Sequence, residues 1–173
     1  MSLSVRAPLY DRFKKLGIDY RTVDHPPIMT VDEGRAFKSE LPGGHTKNLF
    51  LKDKKGGFFF LSAECDTDID LVAMGKILAA RGRLSFGRPE KMQEILGVMP
   101  GSVTPFALMN ARPDAFVAVT FDNALFQYDT IWFHPLENTA STAISPDDLL
   151  TFVQDCGVHP LLLDFSPHGV TKC

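Results

Sequence analysis

Lys47 is the first residue whose setting could support chemistry. It follows the glycine-rich stretch Pro42-Gly43-Gly44 and opens the apolar run Asn48-Leu49-Phe50-Leu51. A lysine at a strand mouth can hold its ammonium in a cleft and meet a phosphate or carboxylate. The same position also suits a solvated edge lysine that discourages pairing with other chains. His45, two residues earlier, lies in the loop and could share such a cleft. A second element is Gly97-Val-Met-Pro-Gly-Ser-Val-Thr-Pro105. Its glycines would let backbone N–H groups approach an anion or a developing oxyanion, although a plain connector has the same composition. A third is His134-Pro135, followed closely by Glu137, Asn138, Thr139, Ser141 and Thr142. An imidazole with hydroxyl and amide neighbours could orient a substrate or move a proton. It could equally close a strand with a turn.

The other chemistry-bearing residues read more plainly. His25 and His159 precede prolines and suit turns; His168 lies near the C-terminus. No His/Cys pair has zinc-ligand spacing and no metal carboxylate motif is present, so neither a metal nor a cofactor is expected. Cys65 could be a nucleophile beside a histidine, but a packed thiol explains it as well. No Gly-x-Ser-x-Gly elbow, GxGxxG turn or nucleotide P-loop occurs.

The elements that must position these residues follow from spacing. Residues 4–16 predict a helix capped by Ser4, with Leu9, Phe13 and Leu16 on one face and Gly17 ending it. Residues 18–23 alternate as a strand. Thr30-Val31-Asp32-Glu33 has capping-box spacing and predicts a helix to about Ser39. Lys47 to Asp53, the turn Lys54-Lys55-Gly56-Gly57, and Phe58 to Ala63 form a hairpin whose second strand is buried on both faces. Residues 69–80 predict a helix with Leu71, Val72, Ile77 and Leu78 inward. Leu84 to Phe86 is a short strand, and a helix starts at Pro89 and stops at Gly97. Strands are expected at Phe106–Met109, Phe116–Phe121, Thr130–His134, Asn138–Ile144 and Leu161–Asp164. Ser145-Pro146-Asp147-Asp148 opens a last helix reaching Cys156. The tail, residues 167–173, is expected to fray. Helices and strands alternate without a βαβ rhythm, which indicates a single α+β domain over residues 1–173 with a mixed sheet.

At 173 residues and 45% hydrophobic content the chain can bury one sizeable core. No apolar run is long enough to span a bilayer, and Met1 to Tyr10 lacks an apolar signal region. Three cysteines, an odd count widely spaced, suit free thiols in a reducing cytoplasm. The net charge of −3 argues against a general DNA binder, which would carry a basic surplus. It leaves room for contact with one short nucleic-acid end. For that contact, Arg6, Arg12, Lys14 and Lys15 on the first helix, or Lys76, Arg81 and Arg83, are candidate patches; a solvated face explains either set as well.

Taken together and in order, four pieces carry a resemblance: Asp24-His25-Pro26 before the helix at Thr30, Lys47-Asn48-Leu49-Phe50-Leu51, Gly97 to Phe106, and Phe133-His134-Pro135-Leu136 with Asn138-Thr139. The chain resembles the YbaK-like deacylases, relatives of the editing domain inserted in bacterial prolyl-tRNA synthetase, over nearly its whole length. The likeness is to the free-standing branch that clears alanine from proline tRNA. It implies a mixed, curved β-sheet wrapped by helices, and hydrolysis of an aminoacyl ester on tRNA. Lys47 would match the essential lysine at the terminal adenosine or aminoacyl end, with Asn48 in support. Gly101 and Ser102, in the Gly-x-x-x-Pro element ending at Pro105, would supply backbone donors. His134 would border the small amino-acid pocket, with His45 and Asn138 nearby. The helix near residues 30–39 would cover the entrance. The implied partners are the aminoacylated acceptor end of proline tRNA and prolyl-tRNA synthetase. Cysteine on the same tRNA is an alternative substrate, and a non-catalytic module holding aminoacyl ends is an alternative role.

Overall fold

The computed structural model describes residues 4–28 and 31–165. The capping residue expected at Thr30 and the expected frayed tail lie outside the described residues. Five helices and eight strands run in the order α1 (Ala7–Leu16), β1 (Arg21–Asp24), α2 (Val31–Ser39), β2 (Gly44–Lys52), β3 (Phe58–Glu64), α3 (Leu71–Ile77), β4 (Ser85–Phe86), α4 (Pro89–Leu96), β5 (Ala118–Asp122), β6 (Ile131–Phe133), β7 (Ala140–Ile144), α5 (Pro146–Asp155) and β8 (Leu161–Leu163). Two 3-10 segments, Pro105–Asn110 and Asn123–Gln127, flank β5. The fold is α+β with one mixed sheet, as the element pattern predicts.

The sheet order is β1-β7-β6-β2-β3-β5-β8, with β4 beside β2. The β2–β3 hairpin is its centre. β2 pairs antiparallel with β3 along its length, parallel with β6 at Gly44 and His45, and antiparallel with β4 at Leu51 and Lys52. Strand side chains alternate between faces, which splits the hairpin's apolar residues between two cores. Phe50 and Phe60 join the larger core with Leu9 and Phe13 of α1, Leu96 of α4, Phe106 and Phe152 of α5. Leu51, Phe59 and Leu61 join the smaller core with Met74 and Leu78 beside α3. This is why β3 reads as apolar on both faces. α5 is built as its sequence requires: the Ser145 hydroxyl accepts from Asp148 N–H at 3.1 Å, and Pro146 occupies the first helical position.

Several elements differ from expectation. α1 begins at Ala7, because Ser4 spends its hydroxyl on the amide of Arg6 outside the helix. α3 is short and capped by Asp70, whose carboxylate accepts from the amides of Val72 and Ala73. Met74 and Leu78 pack into the smaller core, while Val72 and Ile77 are 53% and 47% exposed. The strand expected at Phe106–Met109 is a 3-10 segment. Thr104 caps it, and its buried run Pro105–Leu108 illustrates that a short apolar stretch does not reveal its own period.

Candidate active site

A cleft of about 720 Å³ opens where α2 lies over the start of β2. That volume falls within the range of small-molecule sites. It can take one nucleotide-sized end and leaves the body of a nucleic acid outside. His45, Thr46 and Lys47 of β2 form its floor, with Arg35, Phe37 and Lys38 of α2 on one side. Glu64, Cys65 and Asp66 lie on another, and Tyr128, Trp132, His134 and Ser141 complete the wall. The glycine pair before β2 makes this close assembly possible. Gly43 sits at φ 122° with its absent Cβ only 2.8 Å from the Thr130 carbonyl oxygen, and a Cβ on Gly44 would lie 2.7 Å from the Tyr128 ring.

Hydrogen bonds fix the ring nitrogens. A carbonyl can only accept, so a histidine nitrogen bonded to one carries the proton. His45 donates from Nε2 to the Leu41 carbonyl at 2.8 Å, and His134 donates from Nδ1 to the Ala140 carbonyl at 2.9 Å. Burial pushes both imidazoles below their ordinary range, and the charge of Lys38 adds to this. Both are therefore neutral near pH 7, and His134 keeps Nε2 as an acceptor. Lys47 donates its ammonium to the Thr67 carbonyl, which anchors it to the segment after β3. Thr67 in turn donates to the buried carboxylate of Asp122 at 3.3 Å. On the acidic side the Tyr128 hydroxyl donates to Glu64 at 2.6 Å, which raises the phenol to about 12.

Of the residues singled out from sequence, Lys47, His45 and His134 lie on the wall of this cleft. The others lie off it. Asn48 pairs across the hairpin with Ser62, accepting from its hydroxyl at 2.6 Å, and so braces the strand beside Lys47. Gly101, Ser102 and Pro105 do not line the cleft. Ser102 donates its amide to Met99 at 3.0 Å, and Pro105 is buried at the start of its 3-10 segment. Packing of Val98 and Phe106 into the larger core holds this loop back. Gly101 lies next to Asn138, whose Nδ2 is the nearest atom to its Cβ position at 3.9 Å. The loop thus meets the His134–Ala140 connection at Asn138, a residue also off the cleft wall.

Other wall residues were not singled out by spacing. Arg35, Lys38, Glu64, Tyr128 and Trp132 come from four separate stretches and share no local pattern. Cys65, read as a packed thiol, is a half-buried free thiol on the wall. His25, read as a turn residue, closes β1 beside the cleft. Its Nε2 meets the Ser141 hydroxyl at 3.0 Å, and its ring lies 4.3 Å from Phe37 and 6.2 Å from His134. The connection between His134 and Ala140 is held from outside by Arg6, which pairs with Glu137 and, at 2.6 Å, with Asp24. Arg12 pairs with Asp155 at 3.5 Å. Arg12 of α1 and Arg6 just before it are thus engaged within the fold. Among the described residues no group of His, Cys, Asp and Glu could hold a metal ion, and no helix is long and apolar enough to cross a membrane.

This arrangement presents fixed cations, neutral imidazoles and a carboxylate around a nucleotide-sized space. It can hold an anionic end and orient a polar one without a covalent intermediate. Known proteins resemble the chain as a whole. Residues 25–152 match the aminoacyl-tRNA editing domain. A Bos taurus protein named prolyl-tRNA synthetase associated domain-containing protein 1 is 38% identical over 93% of this chain and 95% of its own. The prolyl-tRNA editing protein ProX of Acetoanaerobium sticklandii is 30% identical over 91% and 95%. A crystal structure of a candidate trans-editing enzyme for prolyl tRNA synthetase superposes with a TM-score of 0.72 at 21% identity, over 95% of this chain and 99% of that one, which shows a common fold. The chain belongs to the aminoacyl-tRNA editing domain family and is an aminoacyl-tRNA deacylase.

Proposed function

We propose that the chain edits in trans and that its substrate is Ala-tRNA(Pro). The observation that carries this reading is the meeting of Lys47, His45 and His134 on one nucleotide-sized cleft, inside the stretch that matches the editing domain. The names of the relatives, which speak of prolyl-tRNA editing and of association with prolyl-tRNA synthetase, support proline tRNA as the carrier and the synthetase as a partner. The reaction then takes place in the cytoplasm.

An aminoacyl ester is already activated, so orientation and charge stabilisation suffice. Water attacks the ester carbonyl carbon, the bond to the ribose oxygen breaks, and alanine leaves the tRNA. Lys47, fixed by Thr67, neutralises the phosphate or aminoacyl end. The neighbouring ribose hydroxyl and the free Nε2 of His134 hold the water. Asn48 keeps Lys47 in register. The 101–105 loop acts from behind, through Asn138, on the turn that carries His134. A small pocket excludes larger residues by sterics but gains only ~1–3 kcal/mol per methylene against smaller ones, so alanine suits a second, smaller sieve.

The test is release of alanine from Ala-tRNA(Pro) by wild type and by Lys47→Ala. The reading requires fast release by wild type and a loss of about tenfold or more in the variant, the worth of one charge-assisted hydrogen bond. Release at the buffer rate by wild type refutes it and leaves a binding module. Preferential clearing of Cys-tRNA(Pro) refutes the alanine assignment alone.

A further inference from the structure

The proposed substrate is much larger than the cleft, so another surface must carry most of it. Charge is unevenly distributed along this chain. Residues 52–57 and 71–91 contain eight of the 18 Lys and Arg residues but only two of the 21 Asp and Glu residues, Asp53 and Glu90. The fold joins these two stretches. β4 pairs with the end of β2, Lys52 opposite Ser85 and Leu51 opposite Phe86. The Lys54 stem lies over Gly82, where a Cβ would come within 2.8 Å of it. Asp53 offsets this surface only through its 3.9 Å pair with Arg81. It is buried, and its carboxylate accepts from the amides of Lys55, Gly57 and Arg81, each at 2.9 Å. It staples the hairpin turn to the loop after α3.

The result is a preformed basic end. Lys54, Lys55, Lys76, Arg81, Arg83 and Arg88 are all exposed around Phe86, itself 64% exposed. It lies at the far end of the strand that starts in the cleft. Lys47 and Lys52 lie on β2 about 17 Å apart at the usual rise per residue, their odd spacing placing them on opposite faces of the sheet, and α3 follows the Thr67 segment that anchors Lys47. The rival patch on α1 is reduced, because Arg6 and Arg12 are tied into ion pairs. We propose that the basic end formed by the β2–β3 turn, the loop after α3 and β4 binds the phosphate backbone of the duplex RNA stem adjoining the aminoacylated end. This rests on the reading of the substrate as a charged tRNA. Long, exposed cations suit phosphates. Lysine is depleted in protein–protein interfaces, and a lone aromatic gives no stacking row for single strands.

The experiment measures binding of an uncharged acceptor-stem minihelix against salt concentration. The triple variant Lys54→Gln/Lys55→Gln/Arg83→Gln should bind at least tenfold more weakly at low salt. Its log–log salt slope should fall by about three, one for each cation removed. The α1 variant Lys14→Gln/Lys15→Gln should keep the wild-type slope. A triple variant with unchanged slope, an α1 variant that loses slope instead, or loss confined to binding of prolyl-tRNA synthetase each overturns the proposal. Because the RNA is uncharged, the readout is separate from catalysis. Wild type that binds the minihelix through this end but releases no alanine refutes the proposed function and not the surface.

Discussion

Gly44→Ala tests the construction of the cleft wall at its tightest point. A Cβ there would lie 2.7, 3.1 and 3.1 Å from three carbons of the Tyr128 ring. Comfortable carbon contacts begin near ~3.5 Å, so the ring must retreat by about 1 Å. The Gly44 backbone resists moving instead, because its amide donates to Thr130 at 2.9 Å and it pairs with Ile131 of β6. A retreat of that size would stretch the 2.6 Å hydrogen bond from Tyr128 to Glu64 past any useful length. The expected cost is about 1–3 kcal/mol, typical of overpacking, or roughly 2–12 °C in midpoint for a domain of this size. Tyrosinate absorbance gives an independent readout. Tyr128 is held up to about 12 chiefly by its bond to Glu64, against an ordinary 10.0. In Gly44→Ala, as in Glu64→Gln, that late step should move down towards the ordinary value. A Gly44→Ala protein with the wild-type midpoint and the late step intact would show that the ring does not rest on this glycine.

Two further outcomes follow from the same geometry. Burial lowers the imidazoles of His45 and His134 below the ordinary 6.5, so just under that pH the unfolded chain binds protons that the folded chain refuses. Stability should therefore fall as pH drops from about 6.5 towards the folded values and level off beneath them. Urea midpoints at neutral and mildly acidic pH should differ less for His45→Gln/His134→Asn, which keeps a donor at each bonded nitrogen; an equal difference in both proteins counts against the assignment. Arg6→Ala should cost about 1–2 kcal/mol, most of it from Glu137. That carboxylate is 33% exposed, whereas Asp24 is 77% exposed and its ion pair is largely screened. Amide exchange at Leu136 to Thr139 should quicken in this variant, and unchanged protection there would mean that Arg6 does not brace the turn.

What could be read in the chain beforehand was whatever short-range chemistry determines. The β2–β3 hairpin declares itself through its turn and its two-sided apolar strand, and α5 through Ser145, Pro146 and Asp148. The segment at Pro105–Asn110 does not, because four buried residues in a row fit a strand or a helical turn equally. The inward face of α3 is set by its packing on Leu51, Phe59 and Leu61 of the hairpin, a long-range contact that its own short sequence does not show. The site divides in the same way. Lys47, His45 and His134 have visible types and neighbours. Their meeting depends on the parallel pairing of β2 with β6, Gly44 opposite Ile131 and His45 opposite Trp132, between stretches far apart in sequence. Arg35, Lys38, Tyr128 and His25 reach the cleft only through that long-range assembly and leave no local signature.

The protonation states assign the work within the cleft. His134 has one nitrogen committed to Ala140 and is neutral by burial, so its other nitrogen is an acceptor throughout the neutral range. Lys47 has its own acceptor in Thr67. In the proposed mechanism both groups are already held by the fold, the condition under which fixed dipoles and charges stabilise a developing oxyanion without reorganising. The bonded nitrogens of His45 and His134 are directed at backbone carbonyls, so neither of these bonds activates a nucleophile. Under the proposed function the site acts on an ester that needs little activation, and its selectivity comes from the fit of the acyl group and from the RNA proposed to lie beside it.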